Sequence, residues 1–155
     1  KTTLIMCISR NFIGNTFKSY IERGNNSIIE IGSTPSLILK MSLIENINYF
    51  LHNENLDEEY IIEILNKYEL YSFKNDLVED FSSGMTKRSE IAIADMKNPD
   101  VLCVDEPMVY LDEGGSRLLL DLFKKREFDG KSTILSSQES INALSNIERT
   151  INLND

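Results

Sequence analysis

The fold of this chain is decided by the stretch VLCVDEP at residues 101–107, in which four apolar residues run directly into Asp105, Glu106 and a proline. A continuous apolar run is typical of a strand that is buried on both faces, as in a parallel sheet. Ligands of α/β folds bind at the carboxyl ends of such strands. Asp105 is therefore a candidate Mg²⁺ ligand, and Glu106 a candidate base that orients and deprotonates an attacking water. The alternative is that both residues only begin a turn before Pro107.

A turn of small residues precedes this strand. It has the sequence FSSGM at residues 81–85, and its Ser82 lies 23 residues before Asp105. A helix is predicted over 83–97, ended by Asn98-Pro99. Small residues at a helix N-terminus expose backbone N–H groups and the positive end of the helix dipole, which together favour an anion. Ser82 is also explained as an N-cap, and the two interpretations are compatible because a capping serine can contact a phosphate.

The first four residues, KTTL, match the end of a phosphate-binding loop of the form Gly-x-x-x-x-Gly-Lys-Ser/Thr, followed by an apolar helix. The glycines of that loop are absent, and the chain is expected to begin after them. Most of the backbone N–H groups that cradle phosphates are then missing, so the 155-residue chain is expected to bind no nucleotide tightly. An apolar strand is expected to precede Lys1, and without it the sheet is expected to have an unpaired edge.

Strands and helices alternate through the rest of the chain. Apolar periodicity and end signals predict strands over 27–31, 101–104, 132–136 and 150–153, and helices that begin near Ser42, Asp57, Ser83, Gly115 and Glu139. Ser42 and Glu45 have the spacing of a capping box. The alternation predicts an α/β fold with a mostly parallel sheet and right-handed crossovers. The region 46–80 has no strand signal and is predicted to be a helical insertion.

Composition excludes several classes of protein. The net charge of −9 argues against a protein that coats duplex nucleic acid, and no nucleic-acid partner is expected. No apolar run reaches the roughly 20 residues needed to cross a bilayer. Cys7 and Cys103 are expected to be buried thiols in a reducing compartment. With His52 as the single histidine and no CxxC, a zinc site has no support.

Taken together, these motifs resemble those of the ATP-binding subunit of ABC transporters, over essentially the whole chain. KTTL resembles the end of the Walker A loop, FSSGM followed by Lys87-Arg88 resembles the LSGGQ signature, and VLCVDEP resembles Walker B with its catalytic glutamate. Residues 110–112 are similar to the D-loop, and residues 133–137 to the strand that leads into the switch loop. Each motif is loose, but their order and spacing are specific.

The resemblance implies a P-loop NTPase core with a mostly parallel sheet and an inserted helical subdomain, lacking its N-terminal strands. The expected division is a core remnant with the Q-loop region over 1–40, the helical subdomain over 41–84, and core with Walker B, D-loop and switch region over 85–155. The chain is then one ABC ATPase domain, in part.

The resemblance also implies roles for individual residues, with ATP and Mg²⁺ as cofactors. Thr2 and Asp105 are the implied metal residues, and Glu106 is the implied base, with Gln138 as a further catalytic residue at the switch loop. Lys1 would neutralise the β- and γ-phosphates. The implied nucleotide contacts are Lys1, Thr2, Thr3, Ser82, Ser83, Gly84 and Asp112.

The implied assembly is a head-to-tail dimer of two ATP-binding subunits. Ser82 and Gly84 would contact the γ-phosphate bound on the partner, and Asp112 would pass contacts between the two sites. Closure on two ATP molecules would move transmembrane permease subunits. The implied location is peripheral, at the cytoplasmic face of an inner or plasma membrane or on the matrix side of a mitochondrial one.

Departures from the family pattern leave two functions open. Gln138 replaces the switch-loop histidine, Ser33 occupies the Q-loop position, and Ser83 and Met85 replace a glycine and a glutamine of the signature. A lost polar contact to the γ-phosphate costs on the order of 2–4 kcal/mol of transition-state stabilisation, so slow hydrolysis is expected. The chain is thus either an ATPase that powers an exporter or a nucleotide-binding regulatory subunit with little hydrolysis.

Within the family, a pattern near the Q-loop position suggests a subfamily. Gly32-x-x-Pro35, the stretch MSLIENINYF at 41–50 and the turn SSGM at 82–85 resemble the haem exporter ATP-binding subunit of cytochrome c maturation. Haem is therefore the expected cargo if the chain belongs to this subfamily. Single-domain exporters of other substrates share much of the same pattern.

Overall fold

A computed structural model describes residues 2–9, 26–32 and 34–137. The helices are α1 (Thr2–Ser9), α2 (Leu43–Phe50), α3 (Glu58–Lys67), α4 (Ser83–Lys97) and α5 (Glu113–Phe128), and the strands are β1 (Ile28–Ile31), β2 (Val101–Asp105) and β3 (Ser132–Ser136). Single 3₁₀ turns lie at Tyr71–Phe73 and Val78–Asp80. The predicted helix from Glu139 and strand over 150–153 lie outside the described residues.

The described strands form one parallel sheet in the order β1-β2-β3. Ile31 pairs with Val104 on one side, and Asp105 pairs with Ser136 on the other. The central strand is therefore the VLCVD stretch, as expected for an apolar run buried on both faces. Helix α1 packs against all three strands, and its Ile5 is buried. The predicted α/β fold with a parallel sheet is confirmed.

Helix ends follow the capping signals of the sequence. Ser42 and Glu45 form the expected capping box at α2: the Ser42 backbone N–H donates to Glu45 Oε2 at 2.7 Å, and the Glu45 N–H donates to Ser42 Oγ at 3.3 Å. Asp57 caps α3 by accepting from the Tyr60 N–H at 2.7 Å. These local bonds satisfy N–H groups that a helix start otherwise leaves without partners.

Helices α2 and α3 share one apolar core with the sheet and α5. Buried residues of α2 and α3, such as Ile47 and Leu65, belong to the same cluster as Leu102 of β2 and Leu119 of α5. The expected boundary between residues 84 and 85 falls inside the first turn of α4, which is continuous from Ser83 to Lys97. The division into core and helical subdomain stays a prediction.

Two further expectations concern membrane spans and cysteines. Within residues 2–9, 26–32 and 34–137, no helix has the length and apolarity to cross a bilayer. Cys103 is fully buried in β2, and this burial raises the pKa of its thiol to about 11. The expectation of a buried thiol is confirmed at this position, whereas the side chain of Cys7 lies outside the described residues.

Asp100 ties together the amino ends of the three strands. Its carboxylate accepts hydrogen bonds from the Ser27 N–H at 2.9 Å, the Ser27 hydroxyl at 2.8 Å and Lys131 Nζ at 3.0 Å. The Ser27 backbone bond, the Ser27 hydroxyl bond and the Lys131 bond lower the pKa of Asp100 from 3.8 to about 2.

Because of Asp100, the free energy of unfolding should decrease as the pH is lowered. A depressed folded-state pKa contributes stability above the unfolded value of 3.8, and this contribution is lost as the pH falls towards 2. Urea unfolding midpoints measured between pH 2 and 7 should fall less steeply with acid in Asp100→Asn than in the parent chain. Parallel pH profiles for the two proteins would contradict this role.

Candidate functional site

The candidate site is built on the carboxyl end of β2. Asp105, the last residue of that strand, is 1% exposed, and the Ser136 hydroxyl at the end of β3 donates to Asp105 Oδ1. The Glu106 backbone N–H donates to the Ser136 carbonyl at 2.9 Å, and the Ser137 hydroxyl reaches Glu106 Oε2 at 3.5 Å. The end of β3 thus contacts both carboxylates at the carboxyl end of the central strand of the described sheet.

Glu106 leaves the strand in a strained backbone conformation. Its φ is +48°, in the left-handed region that costs a non-glycine residue about 1–2 kcal/mol. Tyr110 has a φ of +67°, and between them the Val109 N–H donates to the Glu106 carbonyl at 3.1 Å. The two neighbouring carboxylates lie in different environments: Asp105 is buried and Glu106 is partly exposed.

The turn at 82–84 begins α4 and is exposed or partly exposed. Ser82 is the N-cap of α4: its hydroxyl accepts from the Met85 N–H at 3.2 Å. The capping interpretation is therefore confirmed, and the phosphate contact of this turn stays a prediction. A Cβ added to Gly84 would lie 3.1 Å from the Tyr110 carbonyl oxygen, so this turn packs closely on the turn that follows Glu106.

Asp112, the other implied nucleotide contact, caps α5. The exposed Asp112 carboxylate accepts from the Gly115 N–H at 2.7 Å. This cap starts α5 at Glu113, two residues earlier than the predicted start at Gly115. The structure therefore places Ser82, Gly84 and Asp112 on the two helix starts that adjoin the 106–111 turn.

Other predicted site residues are described only in part. The backbones of Thr2 and Thr3 lie in the first turn of α1, but their side chains lie outside the described residues. Lys1, Ser33 and Gln138 also lie outside them.

The residues at the end of β2 are suited to Mg²⁺ bound together with phosphates. Mg²⁺ prefers oxygen ligands and is usually bound through one or two carboxylates plus substrate phosphates and water. Asp105 offers a buried carboxylate, and the adjacent Ser136 hydroxyl fixes its orientation. In the described part of the chain, no cluster of three or more His, Cys, Asp or Glu side chains forms a metal cage. Asp105 is a residue that could hold such an ion together with substrate phosphates.

The structure adds Lys87 to the site. In the sequence, Lys87 stands out only as a basic residue that follows the turn at 82–84. Lys87 is 5% exposed, and its Nζ donates to the Gly32 carbonyl at 2.9 Å. Burial lowers the pKa of Lys87, while the negative charges of Glu90 and Asp105 act in the opposite direction. The ammonium thus lies within the electrostatic reach of the candidate metal ligand.

Comparisons with known proteins agree with this arrangement. The family model described as ABC transporter matches residues 1–109. The lantibiotic transport ATP-binding protein SrtF of Streptococcus pyogenes is 29% identical, over 86% of this chain and 61% of that protein. The cytochrome c biogenesis ATP-binding export protein CcmA of Tatumella citrea is 22% identical, over 81% of this chain and 60% of that protein. The chain thus spans about three fifths of the length of these relatives.

A solved structure of an ATP-binding cassette is also similar to this chain. It is described as a dimeric post-hydrolysis state of the ATP-binding cassette MJ0796 bound to ADP and Pi; it is 25% identical, with a TM-score of 0.63, and the match covers 74% of this chain and 53% of that one. The family match extends through both the signature turn and the end of β2, where the carboxylate pair lies. The chain therefore belongs to the ABC transporter family, as part of an ATP-binding subunit.

Proposed function

We propose that this chain carries the hydrolytic part of an ATP-binding subunit that uses Mg²⁺-dependent ATP hydrolysis to power an ABC exporter. The observation that carries the proposal is the pair at the end of the central strand: a buried Asp105 held by Ser136, next to a partly exposed Glu106. Two adjacent carboxylates in different environments can divide the work of metal binding and base catalysis.

In this proposal Asp105 holds Mg²⁺ together with the Thr2 hydroxyl, and Glu106 accepts a proton from the attacking water. Mg²⁺ supplies charge neutralisation on the phosphates when it is bound. Ser137 and the strained backbone of Glu106 support the position of the base. Further roles remain proposals from the family pattern: phosphate contacts for Lys1 and Thr3, the Q-loop position for Ser33 and a γ-phosphate hydrogen bond for Gln138.

We further propose that two copies act head to tail. The turn at Ser82, Ser83 and Gly84 is accessible at the start of α4, where backbone N–H groups favour an anion, and the exposed Asp112 lies on the adjoining helix start. Both could therefore meet a nucleotide or residues of a partner subunit. The dimeric state of the structural neighbour supports this assembly.

The proposed place of action is the cytoplasmic face of a membrane, bound to permease subunits. The relatives are named for lantibiotic transport, cytochrome c biogenesis export and Nod factor export. They support an exporter as the partner. Haem is one proposed cargo, supported by the CcmA relatives at 22% and 25% identity.

The alternative is a subunit that binds nucleotide and regulates transport with little hydrolysis. Gln138 favours it, because an amide carries no charge to replace that of a protonated histidine at the switch position. The two functions differ in one measurable quantity, the rate of phosphate release at saturating ATP.

The experiment is phosphate release by the full-length protein, with and without Mg²⁺, in the parent and in Asp105→Asn. Loss of the carboxylate charge should weaken Mg²⁺ binding, and we expect the Mg²⁺ concentration for half-maximal rate to rise by about 10-fold or more. Equal Mg²⁺ dependence in both proteins would contradict the assigned role of Asp105. A parent that binds ATP without releasing phosphate would favour the regulatory subunit.

A further inference from the structure

Two charged side chains of α4 are buried against the same short segment. Lys87 and Glu90 lie three residues apart, and each is 5% exposed. Lys87 Nζ donates to the Gly32 carbonyl at 2.9 Å. Glu90 Oε1 accepts from the Ser36 N–H at 2.7 Å and from the Ser36 hydroxyl at 3.0 Å. Helix α4 therefore holds the chain after β1 at two points, Gly32 and Ser36.

These contacts lie beside a cavity. It has a volume of about 370 Å³ and lies between Gly32 and Pro35 on one side, the first turns of α4 on another, and Tyr110. Lys87 and Glu90 both line it.

Burial of these two charges is unfavourable without partners. Desolvation lowers the pKa of Lys87 and raises the pKa of Glu90, and the attraction between the two side chains opposes both shifts. Each charge has its own hydrogen-bond partner, the Gly32 carbonyl for Lys87 and the Ser36 N–H and hydroxyl for Glu90. The two side chains are therefore specific connections between α4 and the chain that follows β1.

The connection joins two parts of the site. Ile31 pairs with Val104, so Gly32 follows β1 at the same end of the sheet where Asp105 ends β2. Lys87 and Glu90 lie one to two turns into the helix that begins at the 82–84 turn. We propose that Lys87 and Glu90 are positioning residues that couple the 82–84 turn to the Asp105 end of the sheet. This inference rests on the proposed function: a nucleotide contacted by the turn on one subunit would affect the metal site of that same subunit.

The test uses amide hydrogen exchange in the full-length protein, with Lys87→Met, Glu90→Met and the double variant. Glu90→Met should raise the exchange rate of the Ser36 amide by about 10-fold or more, since its acceptor is lost. Glu90→Gln should restore part of the protection, because it keeps a side-chain oxygen. Arg88→Met is the matched control: it removes a positive charge from the same helix, where the partner Glu69 is 76% exposed. The double variant carries no unpaired buried charge and keeps the test possible if a single variant fails to fold.

The coupling is measured by adding Mg²⁺ and ATP in a Glu106→Gln background. Nucleotide should protect the amides of 83–86 together with those of Thr34 and Ser36 in the parent and in Arg88→Met, whereas the double variant should keep only the protection at 83–86. Joint protection in the double variant, or an unchanged Ser36 exchange rate in Glu90→Met, would overturn the inference. If nucleotide protects neither segment in the parent, the proposed function fails and the coupling with it, while exchange without nucleotide still reports whether α4 holds Ser36.

Discussion

Replacing Glu106 with glutamine should lower the maximal rate of ATP hydrolysis by about 10²-fold or more and leave ATP binding unchanged, because general base catalysis contributes roughly 10²–10⁴-fold to a rate. Glutamine keeps the size of the side chain and its contact distance to Ser137, but it cannot accept the proton of the attacking water. The measurement is steady-state phosphate release by the full-length protein, with nucleotide affinity determined separately by calorimetry.

A matched control separates this effect from a general change of surface charge. Glu59→Gln makes the same substitution at an exposed position of α3 and should leave the rate unchanged. Asp105→Asn should differ from Glu106→Gln in kind, since it alters the Mg²⁺ requirement. If the parent and Glu106→Gln hydrolyse ATP equally slowly, the assignment of Glu106 as the base is wrong and the regulatory function is favoured.

Removing both lysine partners of Asp95 should lower the free energy of unfolding by about 3–5 kcal/mol, the usual effect of leaving a buried charge uncompensated. Asp95 on α4 is 1% exposed and accepts from Lys67 Nζ of α3 at 2.7 Å and from Lys125 Nζ of α5 at 2.8 Å. The buried Tyr68 hydroxyl donates to the same carboxylate at 3.1 Å. In Lys67→Met/Lys125→Met only this neutral donor of the three remains.

The single variants should cost much less than half of the double variant, because the remaining lysine still compensates Asp95. Urea unfolding of the parent, both single variants and the double variant measures this non-additivity. A second double variant, Lys124→Met/Arg117→Met, removes two cations from exposed ion pairs of α5 and should change stability little. Additive losses would contradict the shared role of the two lysines.

The loss of stability in Lys67→Met/Lys125→Met should depend on pH in a definite direction. Burial alone would raise the pKa of Asp95, but the hydrogen bonds from Lys125 and Lys67 bring it below its ordinary value. In the parent, this contribution to stability is present above the unfolded pKa and is lost as the pH falls through the folded one. Without the lysines, burial should raise the pKa of Asp95, so protonation relieves the unfavourable charge. The stability difference between the two proteins should therefore shrink as the medium becomes acidic.

The helices and strands near the site were predictable because their signals are local. The capping box of Ser42 and Glu45, the caps at Asp57 and Ser82, and the apolar run before Asp105 each act within a few residues of the chain. The predicted start of α5 at Gly115 is two residues late, because two adjacent glycines weaken a helical pattern and the capping bond of Asp112 outweighs that loss.

The amino-acid sequence by itself determined the parallel α/β fold, the central place of the VLCVD strand and the order of its motifs, since periodicity and capping are properties of neighbouring residues. Only the tertiary structure decided which charged residues are buried. Lys87 bonds to Gly32 across 55 positions, and Arg126, 1% exposed, donates to the carbonyl oxygens of Pro99 and Ser132. A buried charge and a solvated charge have the same local pattern in a helix, because burial depends on what the rest of the chain packs against that face.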